Sequence, residues 1–144
     1  MNNFIKYSFE KVIHVEKLIT VFYVEFSKSF SNDGERHDFW EMVYVDRGEV
    51  LCTADKRKFV LKGGELTFHK PNEFHAIRAT GDTAPNVSII TFECKSRAMR
   101  DFEGKIFPLG GGGKGTHFHA LSRGHLNLYA GRSQKPPAPA DATA

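Results

Sequence analysis

The chain has 144 residues with 20 Lys plus Arg, 17 Asp plus Glu and 12% aromatics, which suits one domain with one buried core. Its formal charge of +3 sits entirely in residues 110–144, because residues 1–109 balance sixteen basic against sixteen acidic side chains; a neutral body with a thinly basic tail has no electrostatic footprint for nucleic acid. The spacing of Cys52 and Cys94 excludes a zinc knuckle or disulfide framework, and no apolar run is long enough to span a membrane.

The start, Met1 to Lys6, lacks the apolar core of a signal peptide, so the expectation is a cytoplasmic protein whose two Cys are reduced, half-buried strand residues. Residues 4–26 read as strands, densest in β-branched and aromatic residues from Val21 to Phe26. Ser27 to Gly34 is polar apart from Phe30 and predicts a bend. Strands follow at Trp40 to Asp46, Glu49 to Ala54, Arg57 to Leu61, Leu66 to His69, His75 to Ala79 and Val87 to Phe92. The turns between them are Arg47-Gly48, Asp55-Lys56, Gly63-Gly64, the segment after Pro71, and Gly81 to Pro85. Pro71 ends its strand for want of a ladder donor. Alternation puts Glu41, Val43 and Val45 on one face of their strand, with Trp40, Met42 and Tyr44 packing outward. Leu66 and Phe68 share a face and read as core. Ser96 predicts the cap of a short helix from Arg97 to Phe102, with Met99 and Phe102 on one side. Many short strands between turns make this an all-β barrel or sandwich.

From Gly110 the pattern changes. Seven of thirteen Gly and three of six Pro fall in the last 35 residues, and apolar periodicity ends. The expected organisation is a barrel over 1–109 and a low-complexity, disordered tail over 110–144. A reading-frame slip near Gly110 is an alternative origin for that tail, and the nucleotide sequence of the gene decides it. The Gly110 to Thr116 run lacks the Ser or Thr after Lys114 and the flanking strand and helix of a phosphate loop. His117, His119 and His125 sit in a context with no fixed geometry for a metal.

The chemistry concentrates in two stretches. The first is His37, three residues, Glu41, six residues, Gly48; the second is Gly63-Gly64-Glu65, an apolar run, then Pro71-Asn72-Glu73-Phe74-His75. This pair resembles the two motifs of the cupin (double-stranded β-helix, jelly-roll) barrels. The wording over roughly 30–109, above all Phe39 to Val45 and Lys70 to His75, is similar to the N-terminal sensor domain of AraC-type bacterial transcription regulators. The resemblance implies that His37, Glu41 and His75 face inward and can ligate one divalent metal. Glu35 stands where the first motif usually has another His and can still offer an oxygen. Glu73 stands where Gly is common. On a straight strand His37 and Glu41 would lie about 13 Å apart, so they converge only if Asp38-Phe39 turns the chain. Without a metal, Glu35, His37, Glu41, Val43 and His75 would line a hydrogen-bonding ligand pocket.

The resemblance implies a domain that binds a small-molecule effector and forms a homodimer. In such regulators DNA-reading helices follow the barrel; nothing in this sequence resembles them, so neither direct nucleic-acid contact nor a membrane segment is expected. Sugars are common effectors in such regulators, yet no residue here selects one. No nucleophile elbow, Cys-x-x-Cys pair or Ser-His-Asp order appears, so no residue is assigned as catalytic. The rival reading, a stand-alone cupin isomerase or oxygenase, would rest wholly on a metal at His37, Glu41 and His75.

Overall fold

The computed structural model describes residues 12–109 together with Ile5, Lys6 and Ser8. They form β1 (Val15–Glu25), β2 (Trp40–Arg47), β3 (Glu49–Ala54), β4 (Arg57–Lys62), β5 (Glu65–His69), β6 (His75–Ala79), β7 (Asn86–Cys94), a 3-10 helix (Arg97–Phe102) and β8 (Ile106–Pro108). Five strands make one antiparallel sheet in the order β1-β7-β2-β5-β8, and three make another in the order β4-β3-β6. This is the expected all-β cupin architecture, and strands β2 to β7 begin and end within two residues of their predicted limits.

Alternation along β2 builds two separate cores. Val43 and Val45 meet Val50, Cys52, Leu61, Ile77 and Val87 in the space between the sheets. Trp40 and Met42 point the other way, into a layer with Phe68, Ile90, Phe92, Cys94, Met99 and Phe102 on the outer face of the larger sheet. The 3-10 helix covers that layer, and its three-residue repeat stacks Met99 over Phe102 as the spacing predicts. Phe68 is therefore half-buried in the outer layer, edge-on to Phe92, Phe102 and Phe107.

Strand β1 starts at Val15, so the described residues before it are not the strand expected there, and three further local findings differ from the sequence expectations. Ser96 sits at the helix start but makes no side-chain cap; its hydroxyl accepts a hydrogen bond from the His14 amide at 2.8 Å instead. Cys52 and Cys94 are buried rather than half-buried, and both are free thiols. Strand β8, pairing with β5 through Thr67, Leu66 and Glu65, has no counterpart among the predicted strands, because three residues are too few to carry an alternation signal.

The turn before β2 shapes the site. Phe26 and Phe30 stack at 3.7 Å against the inner core, and isolated bridges Ser31–Arg78 and Glu35–His75 run the chain along the free edge of β6. Gly34 has φ of +85°, and a Cβ there would overlap the Phe74 ring. Only glycine permits that conformation and that approach, and Glu35 reaches His75 because of it. The segment 110–144, with its predicted disorder, glycine run and three His, lies outside the described residues.

Candidate functional site

At one end of the inter-sheet space the inward face of β2 changes from valine to Glu41, which is 4% exposed. A bend at Asp38-Phe39 precedes β2, and it brings His37 Nε2 to 3.6 Å from Glu41 Oε2. The convergence that a straight strand forbids is thus achieved by the predicted turn. From β6, His75 Nε2 lies 3.6 Å from Glu41 Oε1 and 3.8 Å from Glu35 Oε1. One candidate ligand atom from each of Glu35, His37, Glu41 and His75 falls within 4.8 Å of the others. The fifth expected residue, Val43, is fully buried one inward position further along β2, packed among the apolar core.

Both histidines are held in one orientation. His37 Nδ1 lies 3.0 Å from the Phe39 carbonyl, and His75 Nδ1 lies 2.9 Å from the Glu73 carbonyl. A carbonyl only accepts, so each Nδ1 carries the proton and each Nε2 faces the group. Both Nε2 atoms are buried without a hydrogen-bond partner. Their 3.6 Å separations from Glu41 are longer than hydrogen bonds, so the attraction there is coulombic. Lone pairs fixed this way, beside two carboxylates, fit a divalent cation.

The motif spacing does not reveal His69. It is fully buried at the end of β5, its Cα directly across from Glu41. Its ring stacks on His75 at 4.6 Å with planes 14° apart, and its Nδ1 lies 3.6 Å from Glu73 Oε2. A signal for it exists in the alternation: if Leu66 and Phe68 face outward, Thr67 and His69 must face inward.

The charges follow from this packing. Burial pushes the Glu41 carboxyl up, but His75, and then His69 and His37, outweigh it and hold the group below its ordinary value. Burial pushes His75 down, yet Glu41, the Glu73 carbonyl and Glu35 bring it above its ordinary value. Glu73 likewise ends below its ordinary value, its burial outweighed by His69 and by the Lys70 amide and charge. An open groove of about 840 Å³ lies alongside, lined by Arg36, Asp55, Lys56, Lys70, Glu73 and Glu103 among others. None of the five residues expected to bind ligand lines that groove; Glu73 touches both the groove and His69.

The family profile described as the AraC-like ligand binding domain matches residues 21–108. The chain belongs to that family. No curated protein matches it in sequence. Among solved structures it is similar to a predicted oxalate decarboxylase from Thermotoga maritima, at 20% identity and a TM-score of 0.51, over 54% of this chain and 68% of that one. It is also similar to an RmlC-like cupin from Shewanella frigidimarina, at 20% identity and a TM-score of 0.45, over 67% of this chain and 96% of that one. A cupin 2 conserved barrel protein from Rhodopseudomonas palustris matches at 22% identity and a TM-score of 0.44, over 49% of this chain and 48% of that one. The AraC-like family membership fits the cupin architecture and a ligand-binding role. Among the described residues the helical element is the 3-10 helix, and no helix is long and apolar enough to cross a membrane.

Proposed function

We propose that residues 12–109 form the effector-binding half of an AraC-type regulator, acting as a cytoplasmic homodimer, and that the effector engages the polar end of the barrel at Glu35, His37, Glu41 and His75. The observation that carries this reading is the set of buried Nε2 atoms without partners on His37 and His75 beside Glu41. A buried polar atom left unpaired costs about 1–3 kcal/mol, and a ligand that supplies the missing partner recovers that cost. The atoms of this group are imidazole lone pairs and carboxylates, which complement hydroxyl or amine hydrogens or a cation. A carboxylate or phosphate effector would face the carboxylates of Glu41 and Glu35. A divalent cation held by these four residues would supply Lewis acidity and reverse that preference.

Binding matters to regulation only if the effector favours one of two arrangements of the domain. Residues 12–109 contain no helix-turn-helix, so DNA contact belongs elsewhere in a full regulator. The enzyme reading stands second because Glu35 is 60% exposed, which leaves one side of the four-residue group open to a substrate.

A thermal-shift panel of neutral polyols, amines and small carboxylic acids on the chelator-treated chain tests the proposal. Stabilisation by polyols or amines, lost in Glu41→Gln and His75→Ala, is the expected result. Stabilisation by carboxylic acids alone, unchanged in both variants, would move the site to the groove.

A further inference from the structure

His69 and Glu73 are not among the four converging residues: His69 is stacked on the His75 ring and Glu73 borders the outer groove. We infer that they are a positioning pair, which holds the His75 ring so that its Nε2 faces Glu41. The inference rests on the reading of the polar end as a cation or effector site.

Glu73 acts on both histidines at once. Its carbonyl accepts a hydrogen bond from His75 Nδ1 at 2.9 Å, and its carboxylate lies 3.6 Å from His69 Nδ1. The same carboxylate accepts the Lys70 amide at 3.2 Å, which closes the turn from Lys70 to Glu73. That turn is pinned to the first motif, because the Asn72 amide donates to the His37 carbonyl at 2.7 Å and Glu35 and His75 exchange backbone hydrogen bonds. Asn72 adopts φ of +65° within it, a conformation Asn tolerates better than most residues.

His69 supplies the second restraint. Its ring lies flat against His75 at 4.6 Å and 14°, so the His75 ring cannot rotate about its Cβ–Cγ bond without striking it. The Glu73 carbonyl fixes which nitrogen carries the proton, and the stack fixes the plane. Together they determine where the Nε2 lone pair points. A Gly at position 73 would keep the carbonyl but lose the carboxylate that shapes the turn and faces His69. The Glu73 departure from the cupin pattern and the buried His69 are therefore one feature.

The test uses the full chain with Co²⁺ as probe, and the nitrogen spectrum of the His75 ring without metal. His69→Ala and Glu73→Ala should weaken Co²⁺ binding at least about tenfold, the usual effect of removing a group that orients a ligand. The bond from Nδ1 to the position-73 carbonyl is kept only while the ring plane and the turn are both held, so in both metal-free variants His75 should change from one Nδ1–H tautomer to a mixture. His69→Phe keeps a flat ring and should bind like the unmodified chain. If it loses as much as His69→Ala, the stack is not the cause and the inference fails. Wild-type Co²⁺ affinity and an unaltered His75 tautomer in His69→Ala and Glu73→Ala would also overturn it. If the unmodified chain binds no Co²⁺, the cation reading falls, while the tautomer comparison still decides the positioning pair. Should His69→Ala fail to fold, Glu73→Ala and His69→Phe decide the matter by the same two readouts.

Discussion

The two ends of the inter-sheet space are built from the same strands by opposite rules. At one end, Val43, Val45, Val50, Leu61 and Val87 are fully buried and need nothing but each other. At the other, Glu41, His69 and His75 are equally enclosed, yet ring nitrogens of both histidines lack partners. Along β2 the change takes two residues, from Glu41 to Val43. A polar group placed at this depth without compensation lowers stability, so the polar end is kept for what it binds and the apolar end for what it holds together.

The largest effect should come from the apolar end. Leu61→Ala leaves a cavity among close-packed valines and should cost about 2–5 kcal/mol in urea unfolding. Glu41→Gln, at the polar end, should cost less than Leu61→Ala above about pH 7, because His75, no longer held protonated by Glu41, can lose its proton and leave no buried charge unpaired. A loss at Glu41→Gln comparable to that at Leu61→Ala would erase the distinction between the ends.

A smaller effect follows pH. Glu41 is held below its ordinary 4.5 and His75 above its ordinary 6.5. The Glu41 contribution is fully present above 4.5 and is lost as pH falls through its folded value. The His75 contribution is fully present below 6.5 and is lost as pH rises through its folded value. The stability gap between the unmodified chain and Glu41→Gln should therefore be widest between 4.5 and 6.5, and urea melts across that range check it. Cation binding should run the other way above this window, strengthening as His75 becomes neutral.

The smallest expected signal is at Cys52. Burial, with a contribution from the Glu41 charge, pushes its thiol up to about 12. Alkylation of the folded chain at about pH 8 should leave Cys52 unmodified, since the thiolate is the reacting species. Fast labelling would mean that the apolar end opens readily.

Much of this is legible in the residues, and the exceptions have physical causes. The strands from β2 to β7 are readable because turn residues and alternation agree there. His37, Glu41 and His75 are readable from motif spacing, and strand geometry by itself requires the bend at Asp38-Phe39. His69 escapes because it ends a run that stands out for its apolar members, and its own inward face is easily passed over. The Ser96 cap fails because its hydroxyl serves His14, a partner 82 residues away, and no local pattern encodes that. The open groove beside the group joins side chains from the β3–β4 turn, the β5–β6 turn and the end of the 3-10 helix, which only folding brings together.

The most direct measurement is titration of the chelator-treated full chain with Co²⁺, followed by absorption, for the unmodified protein, Glu41→Gln and Leu61→Ala. One equivalent should be bound by the unmodified chain, lost in Glu41→Gln and retained by folded Leu61→Ala despite its lowered stability. No binding by the unmodified chain would contradict the cation reading of the polar end, and equal binding by the unmodified chain and Glu41→Gln would contradict its role as the binding end.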